Sequence, residues 1–93
     1  MHVHRTLEMS ITREEFLRLL PAAVGPFEVN GNTIMGRGTA CGWLIRLTPL
    51  PGRRVGSLAV PRHRVDLVLE GCAGSEAEAF MERFHRAFLR GGG

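Results

Sequence analysis

The stretch CGWLIRLT, residues 41–48, carries the clearest strand signal in this 93-residue chain. Positions 41, 43, 45 and 47 alternate with their neighbours, which is the period of a β-strand that buries one face. The alternation predicts that Trp43 lies in the core and that Arg46 lies on the opposite, solvent-facing side. A sheet with one buried face is therefore expected, and helices must cover that face.

Further strands are predicted on both sides of this stretch. Period-two alternation over residues 3–11 predicts a first strand, and Asn30-Gly31 predicts a hairpin with a type I′ turn. Pro49-Leu50-Pro51-Gly52 predicts a turn after the 41–48 strand. A returning strand is then expected over residues 55–60, ended by Pro61. A last strand is predicted at residues 64–70, with positions 65, 67 and 69 inward.

Two helices are predicted from their capping signals. Thr12 with Glu15 has the spacing of a capping box, so a helix is expected to start at Arg13 and to be interrupted from Pro21 onward. Ser75 with Glu78 repeats that spacing before the longest helix. That helix carries an apolar stripe of Ala77, Phe80, Met81, Phe84 and Phe88. Residues 91–93 are three glycines and are expected to form a frayed tail.

These elements predict a single α+β domain over residues 1–93. We expect a curled antiparallel sheet of about four to five strands, in the order β-α-β-β-β-β-β-α, with the helices on one face. This element order resembles an abbreviated helix-grip domain, in which a sheet wraps a long C-terminal helix. The resemblance rests on element order, and no functional residue is transferred with it.

Composition sets the broad class. The chain is 44% hydrophobic and 23% charged, which is typical of a globular domain and argues against disorder. It contains no apolar run long enough for a membrane helix and no export signal, so a soluble cytoplasmic protein is expected. Cys41 and Cys72 are accordingly predicted to be reduced, buried thiols.

The charges are unevenly distributed along the chain. Residues 29–65 contain six arginines and no acid, whereas residues 66–82 contain five acids and no base. The formal net charge is only +3, which is too small to indicate nucleic-acid binding by itself. The predicted partner-binding residues are Arg46, Arg53, Arg54, Arg62 and Arg64. The alternative is that these arginines form a solvated surface that pairs with the acidic last third of the chain.

Other residue patterns offer weaker chemistry. A catalytic set would combine Cys41 or Ser57 as nucleophile with His63 or His85 as base and Asp66 as the orienting group. His2 and His4 share a strand face but have no further ligands at a suggestive spacing. Gly36-Arg37-Gly38 lacks the spacing of a phosphate loop and favours a strand irregularity. No catalytic residue, metal or cofactor is therefore predicted.

The leading hypothesis is a non-catalytic binding module that recognises an acidic partner, first of all a protein, through the arginine-rich surface. The alternative is a small carrier that holds an apolar ligand between sheet and C-terminal helix, in a pocket lined by Trp43, Ile45, Phe80 and Phe84. Nucleic-acid binding is not favoured, because tyrosine is absent and the other aromatic residues are expected in the core. An enzyme is not expected. We expect a monomer or weak homodimer without a membrane partner.

Overall fold

The computed structural model describes residues 2–37 and 42–90. It confirms the α+β class, with a five-stranded antiparallel sheet in the spatial order β1-β5-β4-β3-β2. The elements along the chain are β1 (His2–Met9), α1 (Arg13–Leu19), α2 (Pro21–Val24), β2 (Glu28–Asn30), β3 (Thr33–Arg37), β4 (Gly42–Val55), β5 (Leu58–Glu70) and α3 (Gly74–Arg90). Strands β2 to β5 follow one another as hairpins, and β1 pairs with β5 at the far edge.

The predicted alternation is confirmed in the central strands. Residues 43, 45 and 47 of β4 are buried, and so are residues 65, 67 and 69 of β5, whereas Arg46 is exposed. These inward side chains share one hydrophobic cluster with side chains of α1 and α3. On α3, the buried residues Ala77, Phe80, Phe84 and Phe88 confirm the apolar stripe. We call this packed part of the molecule the body.

The first helix begins at Arg13, as predicted, whereas α3 begins at Gly74, before the predicted cap at Ser75. The hydroxyl of Thr12 accepts a hydrogen bond of 3.1 Å from the backbone amide of Glu15, as a capping residue should. The prediction that Ser75 and Glu78 cap α3 was wrong. Glu76 reaches back instead, and its carboxylate accepts a 2.9 Å hydrogen bond from the amide of Ala73. This is the reciprocal half of a capping box, shifted along the chain.

The turn predicted at Pro49-Leu50-Pro51-Gly52 was also wrong. β4 continues to Val55, with a register shift between Leu50 and Arg53, and β5 runs through Pro61 without a break. Proline lacks the donor that a central strand needs, but it is tolerated on strands with a free edge. Among the described residues, the two strands pair only with each other from residue 49 of β4 and up to residue 62 of β5. We call residues 49–62 the arm.

Both two-residue hairpin turns begin with glycine. Gly31 and Gly56 have φ angles of 63° and 62°, and no other residue type has a positive φ in the described part of the chain. A positive φ at the first central position alone defines a type II′ turn. The central pair of the first turn is therefore Gly31-Asn32, one residue later than the type I′ turn predicted from Asn30-Gly31.

The prediction of free thiols was wrong. Cys72 is buried and disulfide-bonded in the structure. The sequence contains one other cysteine, Cys41, which lies outside the described residues, as does the 91–93 tail. None of the helices in the described ranges combines the length and the apolarity needed to cross a bilayer.

Candidate functional site

The arm is the most continuously exposed stretch of the two long strands β4 and β5. All residues from 51 to 59 are exposed, on both strands and in the turn. At the tip, Val55 and Leu58 are 56% and 68% exposed, the highest values among the exposed large hydrophobic residues. Val55 and Leu58 are cross-strand partners and so form one apolar patch, and exposed apolar patches rimmed by polar residues mark interaction sites.

The five predicted partner-binding arginines lie along β4 and β5, but they do not form one cluster. Arg46 lies in the body, and Arg64 lies where the arm joins it. Arg53 and Arg54 are consecutive arm residues, in register with Val60 and Ala59, so their side chains point to opposite faces of the arm. The arrangement is therefore a line of cations along a ribbon, with Arg54 on the far side.

Two of these arginines already bind carboxylates of the same chain. Arg62 Nη2 lies 2.5 Å from Glu8 Oε1, and Arg64 Nε lies 3.1 Å from Asp66 Oδ2. Arg46, Arg53 and Arg54 make no ion pair with any carboxylate of the described residues. The alternative hypothesis from the sequence is that these arginines pair with the acidic last third of the chain. Arg64 does so, because Asp66 belongs to that acidic stretch.

A shallow pocket of about 470 Å³ lies at the base of the arm. Arg53 and Arg62 line it from the arm, while Glu8 and Ser10 line it from the end of β1 and the residue that follows. Gly52, also in its wall, belongs to the irregular segment between Leu50 and Arg53. A bulge of this kind bends a strand and changes the direction of its side chains. Arg53, at the end of this irregular segment, and Arg62, on the neighbouring strand, line the same pocket.

Asp66 is the centre of a polar network on the outward face of the sheet. Its carboxylate accepts a 2.9 Å hydrogen bond from Thr6 Oγ1, lies 3.1 Å from Arg64 Nε, and lies 3.4 Å from His4 Nε2. Desolvation by burial raises the pKa of the carboxyl, but the hydrogen bonds from Thr6, Arg64 and His4 and the positive charge of Arg64 together outweigh it. The net result is a pKa below the ordinary value of 3.8.

The structure does not bring the candidate catalytic residues together. Ser57 lies in the turn at the tip of the arm. His63 Nδ1 lies 2.8 Å from the carbonyl oxygen of Ile11. Asp66 is three residues further along the same strand, so its side chain points to the opposite face of the sheet. His85 is an exposed residue of α3. Cys41 lies outside the described residues.

Two further sequence patterns were the histidine pair His2 and His4 and the stretch Gly36-Arg37-Gly38. Neither forms a site among the described residues. The ring of His4 contacts Asp66, but no group of three or more His, Cys, Asp or Glu side chains within residues 2–37 and 42–90 is arranged to hold a metal. Gly36 makes room for the indole of Trp43: a Cβ atom there would lie 2.7 Å from Trp43 Cζ2. Close packing therefore explains this glycine. Gly38 lies outside the described residues.

The residues predicted to line an apolar pocket all lie in the core. Trp43, Ile45, Phe80 and Phe84 are each at most 4% exposed, and the rings of Trp43 and Phe80 are 6.3 Å apart. A groove of about 940 Å³ lies at one wall of this region, and its lining includes Phe27, Met35, Leu44, Trp43 and Val68. The buried Nε1 atom of Trp43 has no hydrogen-bond partner among the described residues.

Sequence reasoning missed four residues of the arm region. Val55 and Leu58 flank Gly56-Ser57, a dipeptide that favours a two-residue hairpin turn, so the tip was detectable from the sequence. The prolines at positions 49 and 51 drew the predicted turn away from it. Glu8 and Ser10 carried no comparable signal, because their place in the pocket depends on the pairing of β1 with β5.

Comparison with known proteins adds no function to this geometry. No protein-family model matches the chain, and neither the curated proteins nor the solved structures contain a significant match.

Proposed function

We propose that this protein is a non-catalytic binding module that recognises an acidic surface on a protein partner, with the arm as its recognition element. The observation that carries the proposal is the exposure of every residue from 51 to 59, in a segment with two arginines and no acid. Guanidinium groups bind carboxylates through paired, charge-assisted hydrogen bonds.

None of the arm residues 49–62 belongs to the hydrophobic core cluster of the described residues. Its two strands pair only with each other beyond the sheet, and a lone two-stranded ribbon is at best marginally stable in water. Ordering such a segment costs conformational entropy that no core contact offsets. A binding role accounts for an ordered, exposed and basic projection of this kind.

The chemistry of the arm favours a protein over a nucleic acid. Nucleic-acid binders without sequence preference stack bases on exposed aromatic rings, but Trp43, Phe80, Phe84 and Phe88 are all buried. The exposed apolar residues are Val55 and Leu58, which suit an apolar patch on a protein. Arg62 and Arg64 also already bind carboxylates in the free protein.

The test compares two variants that each lose two exposed arginines. Arg53→Gln/Arg54→Gln removes them from the arm, and Arg83→Gln/Arg86→Gln removes them from α3. We expect the arm variant to lose binding to a labelled, acetylated decaglutamate peptide by about tenfold or more, and the α3 variant by about twofold. Equal losses would mean that the peptide responds to the net positive charge of the protein and not to the arm specifically. A single-stranded oligonucleotide of the same charge that binds more tightly than the peptide would assign the arm to nucleic acid.

The groove beside Trp43 supports a second candidate function, an apolar-ligand carrier. Its volume is in the range of small-molecule sites, and its lining is largely apolar. Trp43 is the only tryptophan in the chain, so its fluorescence reports on this groove without interference. Titration with decanol tests the carrier function. An unchanged emission spectrum up to the solubility limit of decanol would eliminate it.

The cytoplasmic location stays a prediction, and the disulfide at Cys72 supports a different compartment. Disulfides persist in oxidising compartments and are rare in the cytosol, where thiols are kept reduced. Alkylation of free thiols in intact cells, followed by mass measurement of the protein, decides between the two. An unmodified mass indicates an oxidising compartment, and addition of the alkylating group indicates a reducing one.

A further inference from the structure

We infer that the pocket at the base of the arm is a carboxylate-binding site, in which Arg53 and Arg62 hold an acidic side chain of the partner and Glu8 competes for the same place. The inference rests on the proposed function and names the group that is recognised. Its basis is the pocket of about 470 Å³, which is lined by Arg53 and Arg62 of the arm and by Glu8 of β1.

In the wall of this pocket, Arg62 already binds one carboxylate, that of Glu8. Arg62 Nη2 lies 2.5 Å from Glu8 Oε1, and the two residues are 54 positions apart in the sequence. A guanidinium carries five N–H donors, so this contact leaves most of the donor capacity of Arg62 unused. The position beside Glu8 can therefore hold a second carboxylate.

Arg53 provides the second half of the site. It lines the same pocket as Arg62, and it makes no ion pair with the described carboxylates. A carboxylate placed between the two guanidinium groups would receive charge-assisted hydrogen bonds from both. The hydroxyl of Ser10, in the same wall, supplies a further donor.

Glu8 then competes with the carboxylate of the partner for Arg62. While it binds Arg62, it lowers the positive charge of the pocket and repels an incoming carboxylate. Both side chains of the pair are partly exposed, so the contact is weak enough to be displaced. Removal of the Glu8 charge should therefore strengthen binding, whereas removal of an acid elsewhere should act only through the net charge.

The experiment measures the dissociation constant of the labelled decaglutamate peptide by fluorescence anisotropy. Glu8→Gln is compared with Glu82→Gln, which removes the carboxylate of the exposed Arg86–Glu82 pair on α3. We expect Glu8→Gln to tighten binding about three- to fivefold and Glu82→Gln to change it by less than about 1.5-fold. If the two variants behave alike, Glu8 does not compete for the site.

A second pair of variants tests the arginines at matched charge. Arg53→Gln and Arg54→Gln each remove one guanidinium from neighbouring positions, but only Arg53 lines the pocket. We expect a loss of about five- to tenfold for Arg53→Gln and of about twofold for Arg54→Gln. Arg53→Lys keeps the charge without the planar fork, and its loss should be intermediate. Equal losses of affinity at positions 53 and 54 would overturn the assignment of the pocket as the carboxylate-binding site.

The outcomes separate this inference from the proposed function. If the wild-type protein does not bind the peptide, both fail. If it binds, and the arm double variant loses binding while Glu8→Gln and Arg53→Gln match their controls, the arm remains the recognition element and the pocket assignment is wrong. Circular dichroism of each variant confirms that it is folded before its dissociation constant is interpreted.

Discussion

The body and the arm use the same two strands in opposite ways. In residues 42–47, β4 buries every second side chain, and the helices supply the apolar surface against which these side chains pack. In residues 51–55, the same strand exposes every side chain and carries two arginines. The same β-strand therefore changes from a half-buried to a fully exposed element along its length, with no change in secondary structure; the recognition role of the exposed part is our proposal. The predictions below test how sharply the two regions differ.

The largest effect is expected in the body, at Phe84. This side chain is 1% exposed, and its ring centroid lies 4.7 Å from that of Phe88 and 6.2 Å from that of Phe16. Phe84→Ala should lower the free energy of unfolding by about 3–5 kcal/mol, because it removes a buried ring and leaves a cavity. Urea denaturation followed by circular dichroism measures this. A midpoint close to that of the wild type would mean that α3 does not pack on the sheet as described.

The disulfide should give the next largest effect. Loss of a native disulfide from a small domain costs about 2–5 kcal/mol, mainly because the unfolded chain regains conformational freedom. Cys72→Ala should show this loss under non-reducing conditions, and the wild-type protein treated with dithiothreitol should show a similar one. The prediction fails if the reductant leaves the unfolding midpoint of the wild-type protein unchanged.

Gly36 and Gly42 form a matched pair of substitutions in adjacent strands of the body. Gly36→Ala would place a Cβ atom 2.7 Å from Trp43 Cζ2 and 3.0 Å from the carbonyl oxygen of Pro26, whereas Gly42→Ala would meet nothing within 4 Å. Overpacking costs about 1–3 kcal/mol, so we expect that loss at Gly36 and a much smaller change at Gly42. Thermal melts of the two variants measure the difference. Equal melting temperatures for Gly36→Ala and Gly42→Ala would show that the indole of Trp43 moves aside without cost.

Asp66 should make a smaller, pH-dependent contribution on the outward face of the body. Its pKa in the folded protein is lower than its ordinary value of 3.8, so the carboxylate stabilises the fold above that value. The contribution is lost as the pH falls through the folded pKa. The difference in unfolding free energy between wild type and Asp66→Asn should be less than about 1 kcal/mol at pH 7 and should shrink below pH 4. A difference that is the same at pH 3 and pH 7 would contradict this.

The features that were predictable from the sequence are those set by neighbouring residues. The alternation in β4, the stripe on α3 and the cap at Thr12 each depend on residues within a few positions, and all three are confirmed. The turn between β4 and β5 was predicted at residues 49–52 instead of at Gly56-Ser57. Proline was taken to end a strand at Pro49 and Pro61, but it does so only where the edge of the strand must pair with another strand. Whether an edge is free depends on how far β1 and β3 extend, and local patterns do not show that.

The candidate site was predictable in its residue types but not in its geometry. The run of arginines without acids includes Arg53 and Arg62, which line the pocket at the base of the arm. The contact between Glu8 and Arg62 spans 54 residues and exists because β1 pairs with β5 at the far edge of the sheet. No periodicity within either strand specifies that pairing. The ordinary composition of the chain likewise gave no sign of the disulfide at Cys72, since two cysteines can be free or paired.

The smallest effect on stability is expected at the tip of the arm, and it tests the comparison most directly. Val55 and Leu58 are mostly exposed, so replacing both with serine removes little buried apolar surface. We expect the free energy of unfolding to change by less than about 0.5 kcal/mol. Ile45→Ala, in the body part of β4, should cost about 2–5 kcal/mol, because Ile45 is fully buried. If the double serine variant lost 1 kcal/mol or more, its apolar tip would have to pack in solution against a surface that the isolated chain does not provide. Unfolding measured at two protein concentrations would then identify that surface as a second copy, because only self-association makes the midpoint depend on concentration.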